Sequence, residues 1–524
     1  MQVSIVGMPT EVLHEILVQL DYRGIIACQK TCRRLKDLVQ ESLELQYMIK
    51  LGARALCEGP DARLLSVSER VKRLQSYDDA RAGDIAKLEE LPFIPALIGY
   101  MNQLRTSVTT LILASARADE LRVYVQQMPS VTRGIEERHW DLKLPPDYRL
   151  LAVDASQDLL VVLDIRDNIS HKIVILTLST GEEHPSTVST AEMPVPWGND
   201  AYVYGDVEVY GAYCATVRRC IKTFAVSLVV WDWKTWTTVT EIRLSKPAST
   251  RRRQMAFLND AHIAITNNYP GPEGPEALFV YALRTECENE RRPTVFTLPR
   301  ANTGGWTMIS VSDVSGNEHA GLFHPASSAR TLALSLSTSQ APDPWAFRQA
   351  VCKAMLAVPV DTLLAHNSAA RHENLNAVPW STWGPSGSHL VYPYDSDPSG
   401  LDRDDGNGKV SAMRMIVNSR YATRAARWPL PALADCCPMR VAHWQAQRHG
   451  LPSPVIEKVP ADNFNMMETR LPCILKRFTI PWDVGDGRPC KMVVCEDQLF
   501  VFEVINDILI DGQCPIVKAW ACAI

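Results

Sequence analysis

Three spacings of apolar residues divide the chain. Val12, Leu13, Ile16, Leu17 and Leu20 recur on one helical face. Pro9 precedes them, suited to a first helical turn, where its missing N–H costs nothing. After Gly24, a second amphipathic run holds Ile25, Ile26, Cys28, Cys32, Leu35, Leu38 and Val39. Leu43, Leu45, Met48 and Leu51 mark a third, closed by Gly52. The spacing predicts a three-helix module over 1–57. Over 58–100 the apolar positions thin out among many charges. There the pattern predicts a helical linker running to about 90, with Leu64, Val67, Val71 and Leu74 on its packed face.

Over 101–524 the period changes. Short apolar runs such as "LLAVDASQDLLVVLDI", "HKIVILTLS", "FAVSLVVWDW" and "ALFVYALR" are separated by Gly, Pro, Asn and Asp. Such runs predict a closed all-β body. A polar turn entering an apolar strand recurs around Gln157, Asn259, Gly387 and Glu496, at intervals of 102, 128 and 109 residues. Each interval is about two propeller blades of roughly 40–50 residues. One unseen blade per gap, near Val207, Gly321 and Val441, brings the expected count to about seven, with six or eight also compatible. The fold class expected is therefore α+β multidomain, with a β-propeller-like body behind the helices.

The opening helices carry more apolar surface than so short a segment can hide. A module of this size buries only about 60% of the surface its unfolded chain exposes. Each aliphatic side chain left in water forgoes roughly 1.5–3 kcal/mol. Helices with such faces fit a groove or a partner helix, or pack on the chain's own β body.

The run Met8-Pro9-x-Glu11-Val12-Leu13-x-x-Ile16-Leu17-x-x-Leu20, followed by Cys28-x-x-x-Cys32-Arg33-Arg34-Leu35-x-x-Leu38-Val39, resembles an F-box. The resemblance implies a module that binds the Skp-type adaptor of cullin-based ubiquitin ligases. It implies that Pro9, Leu13, Ile16, Leu17, Leu20, Ile25, Cys28, Cys32, Leu35 and Leu38 face or support that adaptor. The remainder resembles, more weakly, the propeller-like regions that follow F-boxes in fungal proteins. Trp231-Asp232 echoes the dipeptide of WD repeats but does not recur in that register.

Composition changes this picture little. The chain has 524 residues, 46% hydrophobic and 22% charged, with net charge -5. That balance argues against nucleic acid as a partner, and the triplet Arg251-Arg252-Arg253 is too short for a basic patch. No secretory signal or membrane-length apolar run is visible, so a cytoplasmic or nuclear place is expected, and no membrane. Fourteen scattered cysteines then read as reduced hydrophobes, and Asn168-Ile169-Ser170 as an unused glycosylation acceptor.

Searches for chemistry fail one by one. The acidic loop from Asp395 has Gly406 where a calcium loop needs Glu. Gly408-Lys409 is followed by Val410 instead of Ser or Thr. Cys436, Cys437 and His443 lack a fourth zinc ligand, and Cys490 and Cys495 flank an apolar strand. No Gly-x-Ser-x-Gly elbow occurs. No metal, cofactor or catalytic residue is expected. Trp231 and Trp233, two apart on a strand, are candidates for a target-binding aromatic rim, against the commoner use of filling gaps between blades. The expected function is a non-catalytic, substrate-recruiting ligase subunit that binds a Skp-type adaptor, through it a cullin, and an unknown protein target. A scaffold working outside ubiquitination and a propeller enzyme with a docking module are the alternatives.

Overall fold

The computed structural model describes residues 7–82, 89–91, 103–107, 109–116, 119–166, 172–187, 201–203, 207–220, 226–244, 255–266, 277–284, 292–299, 308–312, 321–326, 329–338, 351–391, 420–423, 432–435, 437, 441–442, 474–477, 490–494, 498–504 and 516–523. Four helices open the chain: α1 (Thr10–Val18), α2 (Tyr22–Gln29), α3 (Arg33–Glu41) and α4 (Leu43–Ala53). Periodicity predicts three, because the second run divides at residues 30–32. Cys32 is extended, with φ -154° and ψ 161°, and the Thr31 hydroxyl donates back to the Cys28 carbonyl at 2.7 Å. Asp21 and Ser42 cap α2 and α4 by accepting from Gly24 and Leu45 backbone N–H groups.

β1 (Leu56–Glu58) and a short 3-10 turn lead into α5 (Val67–Ala82). Ser66 and Glu69 begin α5 with a reciprocal capping box: Glu69 N–H donates to Ser66 Oγ at 3.3 Å, and Ser66 N–H to Glu69 Oε2 at 3.1 Å. Of the predicted packed face, Leu74 is buried and Val67 and Val71 half-buried, but Leu64 is exposed. The helix does not reach residue 90. Glu89–Glu90 form β2, because their backbone pairs antiparallel with Trp520 and Ala521 at the far end of the chain.

Among the described residues the body contains seven sheets of three to five strands, taken in chain order as sheets 1 to 7, beside a small pairing of β1 with Phe323–Pro325. They cover 103–144, 148–177, 201–244, 255–297, 308–391, 420–477 and 490–523. First strands of successive sheets adjoin from sheet 1 through sheet 5, with Glu208–Tyr210 taking that place in sheet 3, and again from sheet 6 to sheet 7. That is the inner ring of a propeller-like body, and β2 supplies the outer strand of sheet 7. Within the sheets the strands pair antiparallel, except where Ala377–Val378 joins sheet 4 parallel to Thr294–Thr297.

Sheet 2 is buried on both faces, which explains its continuous apolar strands. In Leu159–Asp164, Leu160 and Val162 pack toward sheet 1, while Leu159, Val161 and Leu163 pack toward sheet 3. Sheets 4 and 5 share a core with α6 (Val360–His372) and α7 (Trp380–Gly387), both inserted between the last two strands of sheet 5.

The turn at Gly387 is therefore not a blade entry, as spacing suggests. It ends α7 and leads into an outer strand, His389–Val391. The turns at Gln157 and Asn259 do link first and second strands of sheets 2 and 4, while Glu496 lies outside the described residues, between the first two strands of sheet 7. The extra blade assigned at Gly387 offsets sheet 1, which lies before the first interval.

Candidate functional site: an exposed helical face and its mounting

The α1 stripe is two residues wide, and the fold divides it lengthwise. Leu13 and Leu17 point inward and are 3% exposed. Leu17 joins Ile25, Val39 and Leu45 in the centre of the module. Val12 and Ile16, one residue back in each pair, are 43% and 37% exposed. His14 ties α1 to the start of α4 by a 2.9 Å hydrogen bond with Ser42 Oγ. The neighbouring Leu43 is 48% exposed.

The ten residues assigned from sequence thus fall into three groups. Leu13, Leu17 and Ile25 are buried and support the face from beneath. Leu20, Cys28, Cys32, Leu35 and Leu38 are half-buried, whereas Pro9 and Ile16 are exposed. Val12 and Leu43 are missing from that set although they are exposed. The doubled pattern Val12-Leu13, Ile16-Leu17 is the signal for Val12, since a stripe that wide cannot be covered from one side.

α4 carries two apolar faces. Leu45 packs inward, while Tyr47 and Leu51 join Leu74 and Tyr77 of α5 and Leu322 and Phe323 of sheet 5. Gly52 lets α2 approach, since a Cβ there would lie 2.4 Å from the Tyr22 ring. Arg54, 6% exposed, donates from Nε to both Asp78 carboxylate oxygens, at 2.6 and 2.8 Å, and joins α4 to α5. Replacing Asp78 with Ala leaves this guanidinium without its counter-charge. We expect stability to fall by about 2 kcal/mol in chemical denaturation.

Burial pushes the Tyr47 hydroxyl up to about 12, and that of Tyr124 in sheet 1 likewise to about 12. Both fold best protonated. Their contribution is complete below pH 10 and is lost as pH rises from about 10 to about 12, where the unfolded phenol ionises first. Tyr47→Phe should be well tolerated, because the hydroxyl has no hydrogen-bond partner. It should also lessen the loss of stability between pH 10 and 12, as denaturation across that range will measure.

Trp231 and Trp233 do not form a rim. They are 2% and 1% exposed and fill the gap between sheets 2 and 3. The Trp233 indole N–H donates to the Gly211 carbonyl at 2.9 Å, and its ring meets His184 edge-on at 5.0 Å. Cys437 is buried against Ala55 and Ala329. Arg251–Arg253, Asn168–Ser170, Asp395, Gly406, Gly408–Val410, Cys436, His443 and Cys495 lie outside the described residues, as do the side-chain surroundings of Cys490. Among the described residues no cluster of three His, Cys, Asp or Glu could hold a metal ion, and no helix is long and apolar enough to cross a membrane.

The family model for F-box-like domains matches residues 5–45. This segment is an F-box-like domain. It covers α1 to α3 and the start of α4, the stretch that holds the exposed face. No curated protein matches the chain significantly. Among solved structures, the β-propeller domain of the Trilobed protease from Pyrococcus furiosus is 7% identical, with TM-score 0.38 over 81% of this chain and 93% of that one. An uncharacterized protein from Listeria monocytogenes EGD-e is 7% identical, with TM-score 0.35 over 80% and 95%. The WD40 domain of Toxoplasma gondii coronin is 7% identical, with TM-score 0.23 over 53% and 74%. Likeness at this level carries no argument, and the propeller-like description stands on the strand pairing itself.

Proposed function

We propose that this protein is a substrate-recruiting subunit of a Skp–cullin–F-box ubiquitin ligase. The observation that carries the reading is the split of α1 within the F-box-like domain. Leu13 and Leu17 close the module's own core, while Val12 and Ile16 are left in water on a folded support. A partner helix laid on that face removes the cost of exposing them. The propeller-like body holds the target protein. The helical domain takes the side of the ring where first and second strands, and third and fourth strands, connect, since β1 pairs with the 323–325 segment there. The target therefore sits on the other side.

The subunit itself makes and breaks no bonds. It raises the effective concentration of the target beside the conjugating enzyme, converting an encounter between two molecules into a reaction within one complex. The complex works in the cytoplasm or nucleus. Co-purification tests this reading: the full chain should bring down a Skp-type adaptor together with a cullin. Recovery of the adaptor without a cullin would favour a scaffold outside ubiquitination, and recovery of neither would overturn the reading.

A further inference from the structure

Sheets 1 and 5 are separated in chain order by sheets 2, 3 and 4, yet two of their connections are bonded to each other. Arg133, between the third and fourth strands of sheet 1, is 1% exposed. Its Nε donates to the Phe323 carbonyl at 2.8 Å, and Leu322 N–H donates to the Arg133 carbonyl at 3.0 Å. Residues 321–326 lie between the first and second strands of sheet 5, so both connections emerge on the same side of the ring. The contact thus joins, on that side, two sheets that sheets 2, 3 and 4 separate in chain order.

The helical domain is fastened to this contact. β1 pairs antiparallel with Phe323–Pro325, Gly59 N–H donates to the Leu322 carbonyl at 2.9 Å, and Ala326 N–H donates to the Ala55 carbonyl at 2.8 Å. Two glycines permit the crossing. A Cβ on Gly59 would fall 2.0 Å from the Gly321 carbonyl oxygen, and one on Gly321, which has φ +81°, would fall 2.8 Å from that of Arg133. Tyr77 of α5 closes over Phe323 edge-on at 5.0 Å. Arg73 of the same helix reaches the Val131 carbonyl at 3.2 Å. α6 carries Asp361 in its first turn. Desolvation raises that carboxyl above its ordinary range, and Arg23 of α2 opposes the rise.

We propose that the crossing of 54–59, 129–135 and 321–326 is a single joint that holds the F-box-like domain and the ring as one rigid body. Arg133 acts in it as a positioning residue. Its use in the complex rests on the ligase reading above: the joint fixes the distance from the Val12/Ile16 face to the target-holding side. Without it the two reactants remain bound but are presented over many distances.

The test is hydrogen exchange and solution X-ray scattering on the full chain carrying Arg133→Ala, and separately Gly59→Ala. The second variant breaks the joint from the helical side and leaves the ring's own residues unchanged. Expected are exchange at least about tenfold faster at Gly59 and Leu322, a larger maximum dimension, and unchanged protection of Leu159–Asp164. Unchanged exchange and dimension in both variants would overturn the joint. So would loss of protection in Leu159–Asp164 together with Leu322 in both, because the crossing would then belong to the ring's core. In a reconstituted complex, adaptor affinity should hold while transfer to a bound target slows. If the unaltered chain supports no transfer, the ligase reading fails, and exchange and scattering still decide the joint.

Discussion

Val12→Asp combined with Ile16→Asp should abolish capture of a Skp-type adaptor and leave the protein folded. The two side chains are the exposed half of the α1 stripe, 43% and 37% exposed. Each aliphatic group buried by a partner contributes roughly 1.5–3 kcal/mol. Losing both and placing two carboxylates on the face should weaken binding at least about a hundredfold. Titration against purified adaptor measures this, with helical circular dichroism as the folding control. Binding within threefold of the unaltered chain would show that the adaptor does not use this face.

The contrast with Leu13 and Leu17 gives the experiment its meaning. Both are 3% exposed, and Leu17 packs on Ile25, Val39 and Leu45. Carboxylates there would also abolish capture, but by opening the module, whose small core tolerates few such changes. Only the Val12/Ile16 pair separates loss of contact from loss of fold. Sequence spacing reports that α1 is apolar over a broad arc. It does not report which edge the module's own helices cover, because that depends on where α2 to α4 lie.

The same distinction separates what was legible in the body from what was not. Strands such as Leu159–Asp164 announce themselves, since both faces must be apolar when sheets stand on either side. The helices α6 and α7 leave a fainter mark. Asn367 of α6 is buried with its carbonyl oxygen unpaired, and Pro385 lies inside α7, so neither helix shows a clean apolar stripe. The joint at 54–59 was not readable at all. Gly59, Arg133 and Phe323 are far apart in sequence, and each is unremarkable alone. The function assigned to Trp231 and Trp233 failed for a related reason. Spacing of two places both on one side of a strand, but that side faces sheet 2 rather than solvent.

Trp233→Ala should then cost stability rather than binding. The side chain is 1% exposed, and its truncation leaves a cavity lined by sheets 2 and 3, a Gly211 carbonyl that has lost one of its two side-chain donors and a His184 ring without its aromatic neighbour. Large aromatic truncations in such places cost about 3–5 kcal/mol. Gly211 carries φ +56° and also accepts from the Gln157 amide at 2.9 Å, so the lost contact loosens the turn that carries Gln157 as well. The denaturation midpoint of the full chain should fall accordingly, while adaptor affinity stays unchanged because α1 is untouched. A loss below about 1 kcal/mol would mean that the gap between sheets 2 and 3 is open to water. A partner could then reach the indole, and the rim would be the better account of this residue.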